Sequence, residues 1–425
     1  MKCFVISLGT WGDISPFLNI ALVMKKRNHE VIFLSNSKYK KKIEEHGITF
    51  ISIGESEDVD NSLNYIVNDG LVWEKESRKS ANLSSVIQST SDIFVLPTKK
   101  IYDYIEKNYV KGDSVLISNY ICTGVRYIQD KLNIPNITVV LVPFYLRSKK
   151  NPVEQAMLPE NAPKWLKFWS GAWFDDKIFY KKMLTDYKLC DLTKYINYEE
   201  RFSKDLVACM VPEYIACQQG DWPQGTKVYG FPREVHSLST GDNANEFKEI
   251  YDFAKDERPI LFNLGAQQRR NLKVFYECVK LCKLLNRKGI FLGFDRRRDI
   301  EEIPENIKLI KFMPIDKALA ISDMLICHGG IGTCSEAFYQ GKPIVVLPEF
   351  PEHWDTAKRI RDCGIGMSFS RNTFKAEKVY KKINKFLTSS EVKEKCEKYR
   401  SDLQKEKSLD KLCEDIEQLI NKKRY

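Results

Sequence analysis

The chain has 425 residues, 43% of them hydrophobic and 29% charged, with a formal net charge of +10. That length suggests two or three domains with sizeable cores, and the composition argues against a disordered chain. No run reaches the roughly 18 apolar residues of a spanning helix, and the basic balance favours anionic partners without choosing among them. The 12 cysteines are spread without CxxC pairs, so they read as small buried hydrophobes of a cytoplasmic protein, not as a disulfide frame.

The start, KCFVISL, reads as a first strand and not as a signal peptide. PFLNIALVMKKRN has apolar residues at helical spacing, and EVIFLSN returns to a strand. HGITFISIG, DSVLISNY and ITVVLVPF are further strands. This alternation predicts a parallel sheet with helices on both faces. The rhythm lapses between Tyr145 and Tyr214, and VYGFPREVHSLSTGDNANEF has a linker's composition. A second series follows: strand RPILFNLGAQ, helix NLKVFYECVKLCKLLNRKG, strands KGIFLGF and NIKLIKFMP, helix PIDKALAISD, then strands MLICHGG and KPIVVLPEF. The C-terminal segment EVKEKCEKYRSDLQKEKSLDKLCEDIEQLINKKRY mixes both signs and reads as a solvated helix, so no nucleic-acid partner is expected. The predicted division is one domain over 1–230, a linker over 231–255, a second domain over 256–395 and C-terminal helices over 396–425. Paired domains of this class bind ligands at the carboxyl ends of their strands.

The stretch CHGGIGTCSEAFYQGKP, Cys327 to Pro343, carries the most chemistry. MLIC is a strand, HGGIGT a turn, and TCSEAFYQG a helix with a glycine stop at Gly341. Glycines let a backbone approach a ligand closely. The first N–H groups of a helix lack internal partners and sit at the positive end of its dipole, so a diphosphate fits there. His328 can meet a phosphate oxygen, and Glu336 can accept bonds from ribose hydroxyls. The alternative is local: Thr333 to Glu336 also fits a capping box.

The stretch CHGGIGTCSEAFYQGKPIVVLPEFPEHWDTAKRI resembles the donor signature of the UDP-glycosyltransferases, family 1 of the sequence-based classification. SLGTWGDISPFLNIALVMKKRNHEVIFLSN resembles the start of that family's bacterial and sterol-type branch. The resemblance implies an α/β, GT-B fold, in which two Rossmann-like doubly wound domains face a cleft and C-terminal helices follow. The C-terminal domain would hold a nucleotide sugar and the N-terminal domain an acceptor. By that resemblance His328 contacts the diphosphate, Gly330, Gly332 and Thr333 offer helix-start donors, and Glu336 takes the ribose. Phe312 stacks on the base, and the Met313 backbone reads the base edge. Ile315 stands where glutamine is usual. Glu352 and His353 replace the Asp-Gln pair that grips the sugar. Gly265 lies in the matching first turn, NLGAQQRR, where Ala266 replaces a hydroxyl residue and Arg269 or Arg270 can offset that loss. The local alternatives are a core role for Phe312, loop roles for Glu352 and His353, and a solvated loop for Arg269 and Arg270.

An acceptor hydroxyl needs a base. In this branch that base is the aspartate at Asp13, in a loop shaped by Gly9, Thr10 and Gly12. Its alternative role is a helix N-cap ahead of Ile14, Ser15 and Pro16, since Asp-x-x-Pro suits a helix entry. The implied reaction is a single inverting displacement with a UDP-sugar as co-substrate, no cofactor and no metal. Asp58 and Asp60 form a DxD string that reads as surface charge. The aromatic segment WLKFWSGAWFDDKIFYKKML holds Trp165, Trp169 and Trp173. With Thr10 and Gly12 these are the candidate acceptor wall, which implies a hydrophobic small molecule, lipid or peptide product. A peripheral membrane contact through its aromatics and lysines, and plain core, are the competing readings. Beside the transferase stand an epimerase of the same fold and a catalytically silent relative that binds or activates a partner.

Overall fold

The computed structural model describes residues 1–54, 95, 97–122, 124–152, 163–167, 194–195, 197–233, 247–265, 272–294 and 303–424. Asp58, Asp60, Trp169, Trp173, Ala266, Arg269 and Arg270 lie outside the described residues. The chain divides into two units: residues 1–235 with 407–425, and residues 236–406.

In the first unit, strands and helices alternate as β1 (Lys2–Ile6), α1 (Trp11–Lys26), β2 (Glu30–Asn36), α2 (Lys40–Glu44), β3 (Thr49–Gly54), α3 (Thr98–Asn108), β4 (Ser114–Asn119), α4 (Val125–Leu132), β5 (Asn136–Val140), β6 (Leu206–Cys209) and β7 (Thr226–Val228). The sheet order is β3-β2-β1-β4-β5-β6-β7, with every pairing parallel. The order therefore reverses beside β1. Strands β4, β5 and β6 are buried along their whole length, as a parallel sheet covered on both faces requires. Phe4, Ile6, Leu34 and Leu116 of the sheet share a core with Ile101, Ile105, Val125 and Ile128 of α3 and α4.

The second unit runs α5 (Lys248–Ala254), β8 (Ile260–Asn263), α6 (Leu272–Leu285), β9 (Gly289–Leu292), β10 (Ile307–Ile310), α7 (Ile315–Ala320), β11 (Met324–Cys327), α8 (Ile331–Tyr339), β12 (Ile344–Val346), α9 (Pro351–Asp362) and β13 (Gly366–Ser368). A 3-10 turn at Arg371–Thr373 and helices α10 (Ala376–Thr388) and α11 (Ser390–Lys405) complete it. Its sheet, β10-β9-β8-β11-β12-β13, is again all parallel and reverses between β8 and β11. Phe262 stacks on Phe291 at 4.3 Å, and Phe275 closes on both Phe291 and Phe294 at 4.8 Å. Both doubly wound parallel sheets expected from the alternation are present.

Two expectations change. Helix α1 starts at Trp11, not at Pro16, so the proline lies inside it and offers no N–H to the Gly12 carbonyl one turn back. The C-terminal segment is not one solvated helix. Its last part, α12 (Ser408–Arg424), belongs to the first unit, where it lies against α1. Leu409, Leu412, Cys413, Ile416 and Ile420 recur at helical spacing and are all buried. Glu417 accepts from Arg27 Nε and Nη2 at 2.9 and 2.7 Å and lies 2.8 Å from His29 Nε2. The mixed charge of the segment hid an apolar stripe. Among the described residues no helix is long and apolar enough to cross a membrane.

Candidate active site

In open α/β sheets the crevice for ligands lies past the carboxyl ends of the strands, where the strand order reverses. In the second unit that place is the end of β8 and β11. His328 follows β11, and its Nδ1 lies 3.1 Å from the carbonyl oxygen of Asn263, the last residue of β8. One side-chain bond thus ties the two strand ends at the reversal. Gly329 has φ +103, and a Cβ there would stand 2.8 Å from Val346 and 3.0 Å from His353. Only glycine fits that bend.

Helix α8 then begins at Ile331, with Gly330 as its N-cap residue and no side-chain cap. Thr333 is its third residue and Glu336 its sixth, so the capping box read from the sequence does not form. The first-turn N–H groups, including those of Gly332 and Thr333, are left to whatever occupies the crevice. Glu336 is half-buried one turn into the helix.

Gly265 has φ +83, and a Cβ there would lie 3.1 Å from His328 Cγ and 3.4 Å from Glu349 Oε2. This places Glu349 beside the histidine. Arg371 Nη1 is 2.9 Å from Glu349 Oε2, and both side chains are nearly buried. Arg371 Nη2 makes no hydrogen bond among the described residues. His353, the third residue of α9, packs its ring edge-on against His328 with centroids 4.9 Å apart. Its Nδ1 accepts from the Phe350 N–H at 3.1 Å, so it closes the start of α9. Glu352 Oε1 lies 3.7 Å from His353 Nε2. Burial holds the His328 imidazole below its ordinary pKa, against the Asn263 carbonyl, which favours the charged ring. Burial lowers His353 further, with His328 and Arg371 adding to it.

Phe312 stands past the end of β10 and is 68% exposed, which removes its reading as a core residue. Met313 beside it is buried, and Ile315 opens α7. If Phe312 is a platform for a base, Phe312→Ala should weaken nucleotide binding roughly tenfold, the scale of one aromatic contact of about 1.4 kcal/mol. An exposed side chain carries little folding energy, so the melting temperature should stay put. Equal affinities in a titration would remove the platform.

In the first unit the corresponding place is the turn after β1. Thr10 is the N-cap of α1 and Asp13 its third residue. Asp13 Oδ2 accepts from Thr10 N and Thr10 Oγ1, each at 2.8 Å. The cap role is therefore real, although Thr10 and not Asp13 is the N-cap residue. Burial raises the Asp13 carboxyl above its ordinary 3.8, opposed by the two Thr10 donors. Gly9, at φ +113, would bring a Cβ within 2.6 Å of Asp13 Oδ2. Tyr39 donates to the Gly9 carbonyl at 3.2 Å, and its ring meets Trp11 at 5.7 Å. Thr10 and Gly12 are exposed. Trp165, on a short helical turn, is 65% exposed and so is not core.

Three participants were missed by sequence reading. Asn263 acts through a carbonyl that any residue offers. Glu349 carried a signal, an acid between Pro348 and the Glu352–His353 pair. Arg371 follows a three-residue strand with no periodicity to announce it.

Residues 3–149 match the model described as glycosyltransferase family 28 N-terminal domain. Residues 289–419 match the model described as erythromycin biosynthesis protein CIII-like, C-terminal domain. The chain is 28% identical over 165 residues to demethyllactenocin mycarosyltransferase of Streptomyces fradiae, covering 37% of this chain and 35% of that protein. It is 21% identical over 383 residues to a sterol 3-beta-glucosyltransferase of Arabidopsis thaliana, covering 86% of this chain and 59% of that one. The matched part thus spans less than two thirds of the length of either relative. Among solved structures, the glycotransferase of kitacinnamycin superposes with a TM-score of 0.73 at 16% identity, covering 99% of both chains. Glycosyltransferase VinC, solved with dTDP, gives 0.67 at 12% identity over 99% of this chain and 100% of that one. These likenesses establish the fold as GT-B. A match to a glycosyltransferase family 28 N-terminal domain and a match to a CIII-like C-terminal domain thus follow one another along a single chain of GT-B fold.

Proposed function

We propose that the protein moves a hexose from a nucleoside-diphosphate sugar, a uridine one by preference, to a hydroxyl of a hydrophobic small molecule, lipid or peptide product. The observation that carries this reading is the bare start of α8. A helix without a side-chain cap begins directly off β11, at the reversal of the sheet, behind two glycines and a histidine. The names of the relatives, which transfer mycarose and glucose, and the dTDP bound to VinC support the donor class.

In this reading the diphosphate sits at the α8 start, the ribose meets Glu336, the base meets Phe312, and the sugar meets Glu352 and the remaining His353 N–H. Asp13 removes the acceptor proton as the acceptor oxygen bonds to the anomeric carbon. The bond from that carbon to the phosphate oxygen breaks, with inversion. The charge that collects on the departing diphosphate is met by donors at the helix start and at Thr333, and by His328 once its second ring nitrogen carries a proton. Those donors take the role a metal would otherwise fill.

A panel of UDP- and dTDP-sugars in a thermal-shift assay tests the donor reading. A ligand at about 100 times its Kd stabilises the fold by about 2.7 kcal/mol. Stabilisation followed by sugar transfer or donor hydrolysis is the expected result. A binder with no turnover on any acceptor points to the silent relative, and no shift with any nucleotide sugar ends the donor reading.

A further inference from the structure

His328 and His353 of the second unit hold opposite tautomers, and the backbone decides which. A carbonyl oxygen only accepts, so His328 Nδ1, 3.1 Å from Asn263 O, carries the hydrogen. In the neutral ring its Nε2 is then a bare lone pair. A backbone N–H only donates, so His353 Nδ1, 3.1 Å from Phe350 N, is the bare atom and its Nε2 carries the hydrogen. Burial favours the neutral form of both rings, and the charge of Arg371 works in the same direction.

The bare Nε2 of His328 is the atom turned toward the helix start, since a Cβ on Gly330 would lie 2.7 Å from it. A phosphoryl oxygen there would meet lone pair with lone pair. Turning the ring would give up the Asn263 carbonyl. The groups around the ring do not supply the missing charge. His353 of α9 is kept neutral by its bond to Phe350. Glu349, after β12, and Arg371, after β13, are paired with each other, so the Arg371 guanidinium is engaged by that carboxylate. The helix start adds about half a charge, against two negative charges on a nucleotide sugar's diphosphate.

We propose, building on the donor reading above, that binding of a nucleoside diphosphate draws one proton from solvent onto His328 Nε2. The imidazolium then spends both N–H groups, one on Asn263 O and one on a phosphoryl oxygen, and the second bond is of the stronger charge-assisted kind. The bound state favours the protonated ring, so affinity is full at low pH and is lost as pH rises. Between the pKa values of the free and bound ring, it falls tenfold for each pH unit.

Calorimetric titration of the full chain with uridine diphosphate and thymidine diphosphate near pH 8 tests this, run in HEPES and in Tris, whose ionisation heats differ. The difference in binding heat is expected to report uptake of close to one proton per nucleotide. The amide N–H of His328→Asn can still serve the Asn263 carbonyl, so that variant should bind more weakly with heats equal in the two buffers. Nitrogen NMR of the five histidines should show one ring passing from singly to doubly protonated on saturation. Equal heats for wild type with nucleotide bound overturn the proton uptake alone and leave the donor reading standing. An uptake that survives in His328→Asn places the proton elsewhere and also overturns it. If neither nucleotide binds, the donor reading falls and takes this inference with it.

Discussion

Asp13→Asn is expected to lower turnover by about 10²–10⁴-fold, the range that one general base supplies, while nucleotide affinity and melting temperature stay near wild type. The structure makes this substitution more discriminating than it first appears. Asp13 Oδ2 accepts two bonds from Thr10, and an asparagine carbonyl oxygen can accept both. The cap of α1 therefore survives, and only the proton-accepting charge is removed. Asp13→Ala is the contrasting variant. It breaks the box as well and should cost about 1 kcal/mol of stability. A base with a raised pKa also leaves a trace in the pH profile of the wild type. Turnover should fall on the acid side at a pH above 3.8, the ordinary carboxylate value, because the protonated form cannot accept the acceptor's hydrogen. Wild-type turnover in Asp13→Asn would falsify the base assignment and leave Asp13 as part of a helix cap.

The same short pattern, threonine with an acid three residues later, occurs at both sites and resolves in opposite ways. Thr10 to Asp13 forms a box because α1 starts at Trp11. Thr333 to Glu336 does not, because α8 starts at Ile331 and the pair lies inside the helix. The sequence pattern was legible at both places. What it could not show was how many residues each turn takes to leave its strand, and that number sets the role of every side chain after it. The long strands β1 to β5 were visible as apolar runs between turn residues. Strands β6, β7 and β13 have three or four residues, as β8 to β12 do, but TKV and GMS lack the apolar run that marks ILFN, GIFL and IVV, and LVAC falls where the alternation lapses. The helical spacing of Leu409, Leu412, Ile416 and Ile420 was readable, but not that this face would cover α1, because a hydrophobic stripe does not name its partner. The histidines stood out by type, whereas their tautomers depend on a carbonyl of Asn263 and an amide of Phe350. Such backbone groups have no letter in the sequence.

Gly330→Ala should separate the site from the fold most cleanly. At Gly330 the backbone has φ −61 and ψ 129, which alanine adopts without strain. Its new methyl would meet one group closely, His328 Nε2 at 2.7 Å. The ring must shift or the methyl must occupy the place beside it, and in either case a phosphoryl oxygen loses that nitrogen. A hydrogen bond to a charged group is worth about 1.5–3 kcal/mol, so nucleotide affinity should fall about 10- to 150-fold. Stability should change by about 1 kcal/mol, the low end for overpacking at a movable side chain. Its neighbours bracket the result. Gly329→Ala forces a side chain into φ +103 and against Val346, so it should lose fold stability before affinity can be measured. Gly332→Ala meets nothing within 4 Å and replaces glycine early in a helix, so the free protein should keep or gain stability. A loss of nucleotide affinity there would place the ligand on the first turn itself. If Gly330→Ala binds nucleotide as tightly as wild type, no phosphate meets His328 Nε2, and the diphosphate has to be sought away from the start of α8.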